Sequence, residues 1–306
     1  MPFVREEYTI TQPLKAFVFL VRVLHLSPNA AQRLIDKGRM TQGGIKVGKA
    51  QEVCGKIEIT HFVPQDLGLQ ALFTHEDFCV YDKPHHLLTH PKGLFTHYSL
   101  NDALKKSFGK QANPVHRLDS LTSGLVVCAL HKQSEQILKN LFVLHKVQKT
   151  YTAIVRGIIK EQERVIYAPI LAHNNGKDLS IRSVISPLGK YAKTYLRVLD
   201  RDIVRNQTLI EVLPLTGRTH QIRVHLDSIS HPIVGDYLYG VSDEISRFFL
   251  ESKAQREDFI RLLGVPHLML NASKLTFCYK NEDFCFDSVL REDLIRFFYS
   301  SENLCH

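Results

Sequence analysis

The sequence predicts an α+β fold: a mixed, largely antiparallel central sheet with flanking helices, preceded by a small helix-helix-hairpin domain. Three observations lead there. Short apolar or alternating runs recur at residues 78–82, 125–130, 149–157, 194–198, 208–213, 275–279 and 284–286, so strands dominate. The helical stretches between them, such as 133–147 with Ile137, Leu141 and Leu144 at helical spacing, do not alternate with strands in a βαβ rhythm. At 306 residues, 44% hydrophobic and 23% charged, the chain is long enough for one sizeable core and a smaller second domain.

After a short lead, residues 14–26 read as an apolar helix. Ser27-Pro28-Asn29 then offers a cap with proline at the first helical position, residues 30–36 continue as a second helix, and Lys37-Gly38 closes it. Arg39-Met40, the Gln42-Gly43-Gly44 turn and Ile45-Lys46-Val47 form a hairpin, followed after Gly48 by an alternating strand at 56–59. Gln32, Arg33, Lys37, Arg39 and Lys46 would gather into a basic face suited to phosphates, or simply a solvated helix face. Residues 61–71 contain proline and glycine without periodicity and read as a linker, giving domains at 1–63 and 72–300. Residues 242–263 carry a charged face and an apolar one and read as one or two peripheral helices without chemistry of their own.

The opening residues carry acids and no apolar core region, which excludes a signal peptide, and no apolar run is long enough to span a bilayer. A cytoplasmic protein is expected. The six cysteines are scattered without a CxxC pair and read as buried free thiols. His85, His86, His90 and His97 lack the partner pattern of a metal site, so no metal is expected. The net charge of +8 favours a polyanionic partner, and residues 1–60, with nine Lys/Arg against five Asp/Glu, carry half of that excess.

The most informative stretch is His116-Arg117-Leu118-Asp119-Ser120-Leu121-Thr122-Ser123-Gly124. In an extended chain Arg117 and Asp119 would share a face, Thr122-Ser123-Gly124 would supply turn chemistry, and the apolar run behind would hold the pair rigidly. Taken alone, the pair favours a surface salt bridge over catalysis.

Three further stretches change that balance. They are Val80-Tyr81-Asp82-Lys83-Pro84-His85-His86, Lys149-Thr150-Tyr151-Thr152-Ala153-Ile154-Val155-Arg156-Gly157, and Leu215-Thr216-Gly217-Arg218-Thr219-His220-Gln221-Ile222-Arg223-Val224-His225-Leu226 followed by His231-Pro232-Ile233-Val234-Gly235-Asp236. Together with the Asp119 stretch they resemble, in order and over roughly residues 72–290, the RluA family of pseudouridine synthases. His85-His86 departs from the family's KPxG turn, and Ser120-Leu121 replaces a pair that is often charged. Residues 32–40 are similar to an RNA-binding module of the ribosomal-protein S-four type, although Ser27-Pro28, Thr41-Gln42-Gly43 and Gly55-Lys56 depart from its pattern.

The resemblance implies the pseudouridine synthase fold, Asp119 as the catalytic aspartate, Arg223 as its ion partner and Tyr151 against the target base. It leaves Arg218 as a weaker candidate for the partner and His116 as a substrate-binding neighbour. By alternation alone Tyr151 reads as a core aromatic, and Arg223 could instead pair with Asp227 at i,i+4. Breaking and remaking the bond between ribose and base needs no cofactor and no metal. It needs an ionised carboxylate, which a nearby arginine favours, and a flipped-out nucleotide whose vacated space Arg117 could fill.

The expected function is isomerisation of specific uridines in structured RNA, with ribosomal RNA favoured and transfer RNA open, by a monomer. The route, whether nucleophilic attack or ribose proton abstraction, stays open. A non-catalytic RNA-binding or ribosome-assembly factor is the alternative from another class, and a base-releasing hydrolase is a third.

Overall fold

The computed structural model describes residues 3–91, 98–172, 181–252 and 254–300. The chain divides into two compact units, one reaching to Leu67 and a larger one beginning at Gly68.

The smaller unit opens with a long strand, β1 (Phe3–Lys15), where the sequence suggested only a lead. It is an edge strand paired antiparallel to β4 (Glu52–Phe62). Ile10 is its only buried residue, so the alternation that marks a half-buried strand is missing, and its charged side chains suit an unpaired edge. The helix expected from residue 14 therefore starts later, as α1 (Ala16–Val18) widening into π-helical turns at Phe19–Val23. Helix α2 (Pro28–Asp36) begins where expected, with the Ser27 hydroxyl accepting from the Ala30 amide at 3.3 Å. β2 (Met40–Gln42) and β3 (Ile45–Lys46) complete a sheet of order β1-β4-β2-β3. Ala16, Leu20, Ala31, Ile35, Met40 and Ile57 fill its core.

The larger unit runs β5 (Phe73–Thr74), β6 (Phe78–Lys83), α3 (Leu100–Phe108), β7 (Asn113–Pro114), β8 (Ser123–Ala129), α4 (Lys132–Val143) and β9 (Gln148–Arg156). It continues through β10 (Glu163–Tyr167), β11 (Ile170–Leu171), β12 (Val184–Ile185), β13 (Lys193–Asp202), β14 (Gln207–Pro214) and α5 (Gln221–Ser228). It closes with α6 (Asp243–Glu251), α7 (Arg256–Leu263), β15 (Leu270–Tyr279), β16 (Glu282–Asp287) and α8 (Arg291–Tyr299). Eight strands follow the order β10-β13-β14-β9-β15-β8-β6-β5, with β7 and β16 attached to β8 and β15. Every pairing in this sheet is antiparallel except β15 with β8, so the sheet is mixed and largely antiparallel, as expected from sequence.

That single parallel junction positions the site. It brings the loop ahead of β8 to within one strand of β9. The junction requires Gly124: its φ is +111°, and a Cβ there would lie 2.5 Å from the backbone nitrogen and oxygen of Ala272. Ser123 and Gly124 thus belong to β8 and do not form the turn read from sequence; the bend lies earlier, where the Thr122 amide donates to the Asp119 carbonyl at 3.2 Å.

Residues 242–263 form two helices, α6 and α7, as one reading allowed. The cysteines divide otherwise than expected: Cys79 and Cys128 are buried, but Cys54, Cys278 and Cys285 are exposed. His97 and Cys305 lie outside the described residues.

Candidate active site

Asp119 sits in a loop pinned at almost every residue. Leu118 is 5% exposed, its amide donates to the Thr89 hydroxyl at 3.1 Å, and that hydroxyl donates to the Leu118 carbonyl at 2.9 Å. The Lys83 ammonium, wholly buried at the end of β6, donates to the carbonyls of Pro84, Leu87 and Ser120 at 2.9, 2.8 and 3.3 Å. Burial pulls the Lys83 pKa down to about 7, with the charge of Asp119 opposing.

His85 hydrogen-bonds the Leu121 carbonyl at 2.9 Å and stacks on His267 at 3.7 Å, and burial pushes its pKa down to about 3. His86, at the glycine position of the KPxG turn that the sequence resembles, adopts φ +60°. The lysine-proline turn is thus a clamp on the Asp119 loop.

His116 secures the other side of the loop. Its Nε2 accepts from the Val127 amide at 3.0 Å, its ring stacks on Phe142 at 4.4 Å, and burial takes its pKa down to about 3. It lines the cavity, but its bonding is that of a neutral brace.

The carboxylate of Asp119 opens into a cavity of about 520 Å³ that His116, Arg117, Tyr151, Arg218, His220 and Arg223 also line. All the residues read from sequence for the catalytic domain therefore converge. The segment is not an extended strand, yet Arg117 and Asp119 face the same space.

Arg223, on α5 and 3% exposed, approaches Asp119 with Nη1 at 3.4 Å. Its stronger partner is Asp236, which sequence reading quoted without a role: Nε and Nη2 bind its two oxygens at 2.6 and 2.7 Å. Asp236 is wholly buried and also accepts from the amides of Leu238 and Tyr239 at 2.8 and 3.2 Å. The Arg223–Asp227 pair entertained from spacing is not among the ion pairs of the described residues. Burial works against the guanidinium's charge, but Asp236 first and Asp119 after it outweigh burial and hold its pKa above the ordinary value.

His220 was also missed. It occupies the left-handed conformation at φ +55° ahead of α5, its Nε2 lies 3.8 Å from Asp119, and its Nδ1 bonds the Tyr239 hydroxyl at 3.0 Å. Burial alone would raise the Asp119 pKa; His220 when charged, then Arg223 and Arg117, outweigh it and hold the carboxyl below its usual range. Asp119 is therefore ionised at neutral pH.

Tyr151 lines the cavity and also packs against the core on either side, so it is the core aromatic that alternation suggested and also faces the cavity. Burial foremost, then Asp119, raises its pKa, and the phenol stays protonated. Arg218 is exposed at the rim and donates from Nε to the Tyr191 carbonyl at 3.0 Å; it is not the partner of Asp119.

In the smaller unit Arg33 and Lys37 are exposed, whereas the Arg39 guanidinium lies 4.6 Å over the Phe3 ring and burial lowers its pKa. Among the described residues no group of three or more His, Cys, Asp or Glu could hold a metal ion, and no helix is long and apolar enough to cross a membrane.

A family model described as RNA pseudouridylate synthase matches residues 77–228. The chain is 42% identical over 297 residues, 97% of each chain, to an uncharacterized RNA pseudouridine synthase of Helicobacter pylori. It is 32% identical over 234 residues to the dual-specificity RNA pseudouridine synthase RluA of Vibrio vulnificus, covering 72% of this chain and 92% of that one. Among solved structures, human RNA pseudouridylate synthase domain containing 1 aligns with a TM-score of 0.57 at 26% identity, over 72% of this chain and 82% of the other.

Proposed function

The chain belongs to the RNA pseudouridine synthase family of the RluA type, and from that premise we propose that Asp119 is the catalytic carboxylate with which it isomerises a uridine of structured RNA. The observation that carries this reading is the setting of Asp119: an ionised carboxylate on a clamped loop, facing a cavity and flanked by the fixed charge of Arg223. In that position it attacks the sugar or base, or takes a ribose proton, as the bond from C1′ to N1 breaks. The uracil turns and C5 bonds to C1′ as the bond to Asp119 breaks or the proton it took returns to the ribose. N1 gains a proton and the C5 proton leaves to solvent, so the product is an isomer with no net oxidation.

Tyr151 supplies the wall against which the base turns, and its protonated phenol adds no competing charge. A cavity of about 520 Å³ has room for a nucleotide removed from its stack. Arg117, exposed at the mouth, holds the opened RNA, and Arg218 contacts the strand from the rim. In the smaller unit, which resembles an S-four-type module, the exposed Arg33 and Lys37 would contact phosphates, with Arg39 contributing less because it is stacked on Phe3.

Product analysis tests the reaction. RNA from cells lacking the gene, incubated with the protein and digested to nucleosides, should gain pseudouridine without free uracil. Free uracil would identify a hydrolase, and no product from any cellular RNA would favour a binding factor.

A further inference from the structure

Arg117 and His116 line a second cavity besides the catalytic one. It holds about 330 Å³ and is walled by His90, Pro114, Glu135 and Lys139. Arg117 therefore stands between two concavities, and among the described residues it makes no hydrogen bond or ion pair.

The charge around the second cavity is unbalanced. The Lys139 ammonium lies 2.5 Å from Glu135, which also accepts from the Asn113 amide at 3.3 Å. Close by, the carbonyls of Lys110 and Ala112 and the side chain of Asn113 hold the Lys105 ammonium at 2.8, 2.6 and 3.1 Å. Two cations, Arg117 and Lys139, thus line the cavity with one carboxylate, and a third, Lys105, is close by. His90 feels the excess: burial first, then Arg117, Lys139 and Lys105, lowers its pKa, which leaves the ring neutral.

We propose that this second cavity is a subsite for the phosphodiester and sugar of the RNA nucleotide next to the one in the catalytic cavity. When a base is turned out about its own backbone, the adjoining phosphate stays one step along the strand. Arg117 lies at that step, with a planar fork that can serve the vacated base space and a phosphate oxygen, and Lys139 completes the clamp from α4. The fit is to backbone chemistry, because Arg117 and Lys139 against the single carboxylate of Glu135 leave the lining with an excess of positive charge that phosphate oxygens would balance.

The inference rests on the functional reading above and is tested apart from it by binding. The probe is total RNA from cells lacking the gene, and its retention by the protein in an Asp119→Asn background is measured across a series of salt concentrations. Lys139→Ala should weaken binding about five-fold, as expected for one lost charge-assisted contact. It should also reduce the slope of log Kd against log salt by about 0.7. Lys139→Arg should restore both, and Glu135→Gln should tighten binding by removing the competing carboxylate.

A slope unchanged by Lys139→Ala, or weaker binding with Glu135→Gln, overturns the subsite. If the parent protein forms no pseudouridine, the functional reading fails, and the binding series still decides the subsite.

Discussion

Arg223 and Asp236 form a two-bond ion pair, at 2.6 and 2.7 Å, between side chains that are 3% and 0% exposed. The 3.4 Å approach of Arg223 to Asp119 depends on this pair, because the guanidinium plane is fixed by Asp236 and only Nη1 is left to face the cavity. Asp236 is a positioning residue: it has no place on the cavity wall, yet it aims the group that does.

Asp236→Asn should therefore reduce activity and stability together. Removing one charge of a buried pair costs about 3–5 kcal/mol, which urea denaturation would read as a lowered midpoint. Turnover should fall even under conditions where the variant is fully folded. The acid limb of its pH–rate profile should also move toward neutrality, because a displaced Arg223 holds the Asp119 pKa down less firmly. A variant of parental turnover would contradict the positioning role.

Arg117→Ala should separate engagement from chemistry. The side chain is exposed and bonded to nothing among the described residues, so stability should change by no more than about 0.5 kcal/mol. Steady-state kinetics on RNA should give a kcat/KM lower by about 10- to 100-fold, the scale of losing a charged contact of 1.5–3 kcal/mol. An unchanged kcat/KM would remove Arg117 from the account.

The catalytic half was legible in the sequence because its side chains sit in local motifs. Asp119, Tyr151 and Arg223 stand 32 and 72 residues apart, yet each lies in a stretch whose pattern could be read: the loop ahead of β8, the strand β9 and the first turn of α5. Asp236 and His220 lay in plain view but acquire meaning only when α5 and the turn after it fold together, which no linear spacing encodes. The long β1 escaped because an edge strand with one buried residue carries no alternation, and β10 escaped because its exposed Val165 and Tyr167 are apolar while the inward Arg164 is charged, which hides its alternation. Helix α3 had a readable start, since the Ser99 amide and hydroxyl both donate to Asp102, at 2.9 and 2.8 Å, but that signal was passed over.

Acid should destabilise the fold through its buried histidines. His85 and His116 are pushed down to about 3 in the folded protein, against 6.5 for the free side chain, so the unfolded chain binds more protons between those values. Stability then rises with pH across that window and is lost on acidification, at up to about 1.4 kcal/mol per pH unit for each histidine. Asp119, whose folded pKa is depressed, adds a loss in the same direction at the acid end. Urea midpoints measured from pH 7 to pH 4 should decline, and His116→Gln, which keeps an acceptor for the Val127 amide, should flatten the decline. A midpoint independent of pH would contradict neutral burial.

The most direct measurement of the central claim is tritium release from RNA labelled at uracil C5, comparing the parent protein with Asp119→Asn at matched RNA occupancy. The carboxamide keeps the shape of the side chain and removes its charge, so RNA binding should stay within about three-fold, as expected when no phosphate contact is lost. Release should fall to background, because no other ionised carboxylate lines the cavity among the described residues. Release by Asp119→Asn at the parental rate would contradict the assignment of Asp119 as the catalytic group.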